Sequence, residues 1–166
     1  MRKLIIYYSR TGENYTKEGI KNLEKGNTQI VAETIKKLTG ADIFEIEPVK
    51  DYPNNYRKCC EIAKEEFDKN ARPKLKKYLS TIDDYDVIYI GYPIWCGTCP
   101  MVIFSQLEKL NFTNKIVKPF STHEGSKLAN SINDLKKYCK GADIKPGIAI
   151  RGSDVKNSEL ELKNWI

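Results

Sequence analysis

Short apolar runs alternate along the chain with segments whose apolar residues recur at helical spacing. The runs predict five strands, at residues 3–8, 42–47, 85–93, 115–120 and 143–150. The intervening segments predict five helices, at residues 27–40, 55–67, 100–110, 126–139 and 154–166. Three of the strands are almost entirely apolar, which is typical of a parallel sheet covered by helices on both faces. The pattern therefore predicts one three-layer, doubly wound α/β domain over residues 1–166, with a five-stranded parallel sheet.

Signals for the ends of helices support these elements. Asn27 or Thr28 can cap the first helix, and Gly40 can close it. Pro100 suits the first turn of the third helix, where a missing N–H costs nothing. Doubly wound sheets bind their ligands beyond the carboxyl ends of the strands. We therefore expect function in the loops that follow the strands.

Composition indicates a soluble globular protein. Hydrophobic residues make up 40% of the 166 residues and charged residues 30%, which suits one domain with one sizeable core. The apolar run near the start covers only Leu4 to Tyr8, which is too short for a signal-peptide core or a membrane span. We expect a cytoplasmic protein that does not bind membranes.

The net charge of +6 is partly concentrated in residues 57–77, which hold eight basic and four acidic residues. A basic surface can attract nucleic acid or acidic partners. The charges alternate in sign and fit the outer face of a helix, and no nucleic-acid motif accompanies them. A solvated helix face is thus favoured over a nucleic-acid-binding domain.

Five cysteines are present, and an odd number in a chain expected to be intracellular argues against a disulfide framework. One histidine and one Cys-x-x-Cys do not supply the paired spacing of a zinc site, so no metal is expected. Cys59, Cys60 and Cys139 fall on apolar helix faces and are predicted to lie in the core.

The loop after the first predicted strand, "SRTGEN" at 9–14, is a candidate phosphate site. Ser9 and Thr11 offer hydroxyls, Asn14 offers an amide, and Gly12 lets the backbone approach a ligand closely. The loop lacks the dinucleotide glycine fingerprint and the Lys-Ser/Thr ending of a P-loop, and an ordinary polar turn is the alternative. Residues 13–26 then separate this loop from its helix, and their purpose stays open.

Two further loops complete the candidate site. "GYPIWCGTCP" (91–100) follows the third predicted strand and "STHEGS" (121–126) the fourth, and the latter carries the only histidine. Asn27 and Thr28 can add donors at the start of the first helix. Together the loops predict a slot for a flat, phosphorylated cofactor.

"YYSRTGEN…GNTQIVAETI", "GYPIWCGTCP" and "PFSTHEGS" together resemble the flavodoxin family, in particular the branch with YPxWWGTxP and THEGS loops. The resemblance covers nearly the whole chain and implies strand order 2-1-3-4-5 and one non-covalent FMN. The implied phosphate-end contacts are Ser9, Arg10, Thr11, Gly12, Asn14, Asn27 and Thr28. The implied ring contacts are Pro93, Ile94, Trp95, Cys96, Gly97 and Thr98, with His123, Glu124, Gly125 and Ser126 on the second side.

Within this assignment, individual residues have expected roles. Trp95 is expected to stack on, or touch the edge of, the isoalloxazine ring. Gly97 can permit a peptide rearrangement when the ring is reduced, because glycine tolerates both backbone hands. Glu124 could raise the pKa of His123. The alternatives are that Trp95 is a hydrophobic lid residue and that His123 is a solvated loop residue.

Residues 95–99 also match the Trp-Cys-Gly-x-Cys of thioredoxin redox sites. That fold places its dithiol near the N-terminus, so a thioredoxin-fold enzyme is disfavoured here. The flavodoxin branch favours Trp at position 96 and an apolar residue at 99, so the two cysteines depart from its pattern. Ile94 departs from it as well, because it replaces an Asn. Cys96 and Cys99 either form a redox-active pair, with a helix start lowering the pKa of Cys99, or fill space; the second reading is favoured.

The resemblance implies a small electron-transfer protein that acts between redox partner proteins. The alternative is a flavodoxin-fold oxidoreductase that takes hydride from NAD(P)H and reduces quinones or other small acceptors; a flavin-binding sensor is a third. Flavodoxins that carry electrons are usually acidic, whereas this chain is basic. If charge steers the encounter, the partner should be acidic.

Overall fold

The computed structural model describes residues 1–166 as a central parallel sheet with helices on both faces. The strands are β1 (Lys3–Tyr7), β2 (Gly12–Thr16), β3 (Gly19–Leu23), β4 (Asp42–Glu45), β5 (Val87–Pro93), β6 (Ile116–His123), β7 (Asp143–Ile144) and β8 (Ile148–Arg151). The helices are α1 (Asn27–Thr39), α2 (Tyr56–Asp68), α3 (Met101–Leu107), α4 (Ser131–Tyr138) and α5 (Glu159–Trp165), and a 3-10 helix spans Gly152–Asn157.

The central sheet runs β4-β1-β5-β6, with β7 and β8 both pairing with β6, and every pairing in it is parallel. Once the β2–β3 hairpin is set aside, this is the predicted order 2-1-3-4-5. The predicted fold class is thereby confirmed.

Alternate residues of the central strands enter two separate cores. Ile6 and Ile90 belong to a cluster that includes α3 and α4, whereas Ile5 and Tyr89 belong to one that includes α1 and α5. Successive side chains of a strand point to opposite faces, so β1 and β5 are buried on both sides. This explains why they read as continuous apolar runs.

Several boundaries differ from the sequence prediction. The strand predicted at 143–150 is two strands, interrupted around Pro146, which lacks a backbone N–H for sheet pairing. The fourth predicted strand continues to His123, and Thr122 pairs with both Pro93 and Ile150. The helix predicted from 126 begins at Ser131.

The inserted residues form an antiparallel hairpin, in which β2 pairs only with β3. The hairpin occupies residues 12–23, between the carboxyl end of β1 and the start of α1. It therefore stands at the edge of the sheet where ligands of this fold class bind.

No helix combines the length and the apolar character needed to cross a membrane.

Candidate functional site

A cavity of about 300 Å³ opens at the carboxyl ends of β5 and β6, beside the start of α1. It is lined by Arg10, Asn14, Tyr15, Asn27, Thr28, Tyr56, Pro93, Ile94, Trp95, Thr122, His123, Glu124 and Ser126. A larger cavity of about 540 Å³ lies between α2 and the 48–52 and 71–74 segments, away from these loops. The smaller one joins all three predicted loops, so it is the candidate site.

The start of α1 supplies donors for an anion. Ser9 Oγ accepts from the backbone N–H of Gln29 at 3.0 Å, which leaves the N–H groups of Asn27 and Thr28 without intrahelical partners. Such N–H groups and the helix dipole favour phosphate. The prediction that Asn27 or Thr28 caps α1 is wrong, because the N-cap residue is Gly26 and the capping hydroxyl comes from Ser9.

Gly26 is a site residue that the sequence prediction missed. A Cβ there would lie 2.1 Å from Ser9 Oγ and 2.6 Å from the Arg10 carbonyl oxygen. The close packing of loop 9–10 on the start of α1 thus requires glycine. The signal was present in the sequence as Gly26-Asn27-Thr28 at the head of a helix.

Thr28 joins α1 to the neighbouring strand β6. Its hydroxyl lies 2.8 Å from that of Thr122, and both side chains are almost fully buried. This contact fixes the start of α1 against the end of β6, so that the donors of α1 and the 123–126 loop face one cavity.

Arg10 anchors two segments beside the cavity. Its Nε donates to the Glu13 carbonyl, and its Nη2 donates to the carbonyls of Pro53 and Asn54, each at 2.9 Å. The residue is only 7% exposed and forms no ion pair with a carboxylate. It therefore places a positive charge beside the cavity while joining the hairpin to residues 53–54.

Asn14 is held in the same turn. Its amide donates to the carbonyls of Arg10 and Gly12, each at 3.1 Å. Thr11 is exposed and, with Ser9, lines a separate cavity of about 350 Å³ on the other side of the loop. Of the 9–14 loop, only Arg10 and Asn14 line the candidate site.

Residues 95–98 form a tight turn. Trp95 and Thr98 exchange backbone hydrogen bonds of 2.9 and 3.2 Å, and Cys96 and Gly97 both have positive φ, at 54° and 76°. This is the geometry of a type I′ turn, which favours glycine at the second central position. The Gly97 carbonyl accepts from the backbone N–H of Asn130 at 2.9 Å, so the turn is tied to the segment before α4.

Trp95 is fixed in place by two tyrosines. Its ring meets Tyr8 edge-on at 5.4 Å between centroids and Tyr52 at 4.9 Å. Such contacts stabilise a defined ring orientation. The indole of Trp95 therefore forms one edge of the cavity in a fixed orientation.

The paired cysteines have unlike surroundings. Cys96 is exposed, whereas Cys99 is completely buried in the core that contains α3. Burial raises the pKa of Cys99 well above its ordinary value, so the predicted lowering by the start of α3 is wrong. Cys99 fills space in the core, which is the alternative that the sequence favoured, whereas Cys96 is exposed and does not.

The other cysteines were predicted to lie in the core, and two of them do. Cys59 and Cys139 are buried, and burial raises their pKa to about 11 and about 12. Cys60 is exposed, because it lies on the solvent side of α2 next to its buried neighbour. The prediction is wrong for Cys60.

His123 and Glu124 line the far side of the cavity. His123 Nδ1 accepts from the Gly125 N–H at 2.8 Å, which places the proton of the neutral ring on Nε2. Burial, aided by Arg151 and Lys127, lowers the pKa of His123. The predicted increase from Glu124 is wrong.

Glu124 presents an unused acceptor. Both carboxylate oxygens are buried beside the Gly152 backbone, and neither makes a hydrogen bond of good geometry within the chain. Burial raises the pKa of this carboxyl above its usual range. A buried acceptor of this kind is costly unless a ligand supplies donors.

The structure brings ten predicted site residues to the cavity: Arg10, Asn14, Asn27, Thr28, Pro93, Ile94, Trp95, His123, Glu124 and Ser126. It leaves seven outside its lining: Ser9, Thr11, Gly12, Cys96, Gly97, Thr98 and Gly125. Thr98 is buried, and its hydroxyl donates to Asp134 at 2.6 Å. Three lining residues were not predicted: Tyr15, Tyr56 and Thr122.

The family model described as Flavodoxin matches residues 20–166. No curated protein sequence matches the chain.

Three solved structures are similar along almost the whole chain. A candidate flavoprotein from Bacteroides uniformis ATCC 8492 is 26% identical over 99% of this chain and 96% of its own, with a TM-score of 0.79. One from Bacteroides eggerthii DSM 20697 is 28% identical over 97% of each chain, with a TM-score of 0.70. A flavoprotein from Lactobacillus acidophilus NCFM, solved in complex with FMN, is 21% identical over 94% of this chain and 97% of its own, with a TM-score of 0.63.

The surroundings of the cysteines predict how the thiols react. In the native protein, Cys60 and Cys96 should react rapidly with DTNB, while Cys59, Cys99 and Cys139 should react only after unfolding. Counting released thiolate with and without denaturant measures this, and Cys96→Ser should leave one rapid thiol. A Cys99 that reacts as fast as Cys96 in the native protein would contradict the burial described.

Proposed function

The chain belongs to the flavodoxin family, and we propose that it binds FMN non-covalently and acts as a small electron-transfer protein between redox partners. The observation that carries the proposal is a single cavity whose parts differ in the hydrogen-bonding groups that they offer. One end has the free N–H groups of Asn27 and Thr28, and another side has the buried, unpartnered carboxylate of Glu124. The cavity therefore suits a ligand with an anionic end and with donors of its own.

FMN meets these requirements. Its phosphate would take the start of α1, where backbone N–H groups and the helix dipole favour an anion. Its ribityl hydroxyls and ring N–H are donors that the Glu124 carboxylate lacks within the chain. Its ring would lie by Ile94 and Trp95, of which Trp95 is already fixed by Tyr8 and Tyr52.

When bound, FMN supplies the electron-transfer chemistry, and the protein sets where and how readily it occurs. The neutral ring of His123 offers its Nε2–H as a donor into the cavity, because Nδ1 is occupied by the Gly125 N–H. Trp95 and Ile94 exclude water from one side, since both pack against the core cluster of α3 and α4. These residues orient a ligand and shield it.

The charge of the chain supports an acidic redox partner. Lys17, Arg57 and Lys58 are exposed next to Tyr15 and Tyr56. The net charge of +6 adds a long-range attraction for anionic proteins. We also propose a cytoplasmic location, which five unpaired cysteines favour.

The first test is a spectrum of the purified protein, or of the protein after FMN is added. We expect flavin absorbance, reduction by dithionite and little response to NADPH, because an electron carrier takes its electrons from a protein partner. Rapid bleaching by NADPH would favour the alternative, an NAD(P)H-dependent oxidoreductase of quinones or other small acceptors. Absence of any FMN binding would contradict both.

Ionic strength tests the partner proposal. Electron transfer to an acidic redox protein should slow steeply from about 0.01 M to about 1 M salt, as the Debye length falls from about 30 Å to about 3 Å. Stopped-flow reduction of an acidic and a basic acceptor measures the effect, with the basic acceptor as control. Rates with the acidic acceptor that do not change with salt would contradict charge steering.

A further inference from the structure

The β2–β3 hairpin is held in place mainly at its root, the end that joins it to β1 and α1. Its strands pair only with each other, and its turn is closed locally by the Thr16 hydroxyl, which donates to the Gly19 carbonyl at 2.6 Å. A two-stranded hairpin alone is only marginally stable in water. Its position therefore depends on how the root is attached.

The root of the hairpin is held by hydrogen bonds and by close packing. The buried Arg10 guanidinium holds the Glu13 carbonyl together with those of Pro53 and Asn54. Gly12, at φ 82°, packs so closely on Asn54 that an added Cβ would lie 2.3 Å from its Oδ1. These contacts direct the hairpin along the mouth of the cavity, beside the first turn of α2.

The hairpin contributes to the wall of the cavity. Asn14 and Tyr15 of β2 line the cavity itself. The hairpin and the 123–126 loop thus line the same cavity.

Tyr15 is a large aromatic side chain at the mouth of the cavity, and it takes no part in the hydrophobic core. It is 54% exposed, and its ring lies 6.4 Å from that of Tyr56, at an angle of 33° between planes. Trp95, a further aromatic residue of the cavity, already has its edge contacts with Tyr8 and Tyr52. Tyr15 and Tyr56 therefore form an aromatic wall with a face left for a ligand.

We propose that the hairpin is a binding element for the flavin, in which Tyr15, backed by Tyr56, packs on the isoalloxazine ring of FMN and shields it from water. This inference rests on the proposed binding of FMN. Aromatic pairs contribute about 0.5–1.5 kcal/mol beyond the area that they bury.

The cross-strand partner of Tyr15 provides a matched control. Ile20 lies directly opposite Tyr15 in the ladder and is 53% exposed, but it does not line the cavity. Tyr15→Ala and Ile20→Ala both remove the same cross-strand pair, whereas only the first removes a ring from the cavity. Tyr15→Phe keeps the ring.

The experiment titrates FMN into apoprotein and measures the Kd and the access of iodide to the bound flavin. Tyr15→Ala should weaken binding about 2- to 10-fold and expose the flavin to iodide, since the lost aromatic contact corresponds to about 0.5–1.5 kcal/mol. Tyr15→Phe and Ile20→Ala should both resemble the wild type. Melting curves should show all three variants folded, because the changed side chains are more than half exposed or keep the ring.

Two results would overturn the inference, and they differ. If the wild type binds FMN and Tyr15→Ala matches Ile20→Ala in affinity and iodide access, the hairpin has no role in binding and the proposed function stands. If the wild type does not bind FMN at all, the proposed function fails and the hairpin inference fails with it.

Discussion

The unsatisfied N–H groups at the start of α1 decide where this fold can hold a charged ligand. Parallel strands bring all their carboxyl ends to one edge of the sheet, and a helix that follows such a strand begins at that edge. Ser9 satisfies one of the N–H groups, and the contact between Thr28 and Thr122 fixes the helix against β6. The remaining donors, the indole of Trp95 and the carboxylate of Glu124 thereby come to one cavity. The hairpin lies beside it because it is inserted between β1 and that same helix.

The architecture could be predicted because burial on both faces of a parallel sheet leaves a plain pattern. Strands β1 and β5 are nearly all apolar, and α1, α2 and α4 each bury only part of their residues. The β2–β3 hairpin could not be predicted, since none of its strand residues is buried and it has no alternation of apolar and polar residues. Its residues Glu13, Asn14 and Thr16 are polar, and the pairing of Tyr15 with Ile20 appears only in the ladder.

Ten of the thirteen residues that line the cavity could be predicted from the sequence, whereas the roles of individual residues depend on packing that one sequence does not display. Ser9 is a cap rather than a residue of the cavity lining, because it faces the backbone of α1. The pKa of His123 follows burial, Arg151 and Lys127, and Arg151 comes from a strand 28 residues along the chain. The start of α3 does not lower the pKa of Cys99, because α3 begins inside the core and Cys99 is buried there. In each case a neighbour distant in sequence determines the role.

The most direct measurement compares the affinities of FMN and riboflavin for the apoprotein by calorimetric titration. These ligands share the ring and the ribityl chain and differ in the phosphate, so the difference isolates the contribution of the α1 start. FMN should bind at least about tenfold more tightly, about 1.4 kcal/mol, because charge-assisted hydrogen bonds are strong. Equal affinities for the two ligands would contradict an anion site at Asn27 and Thr28.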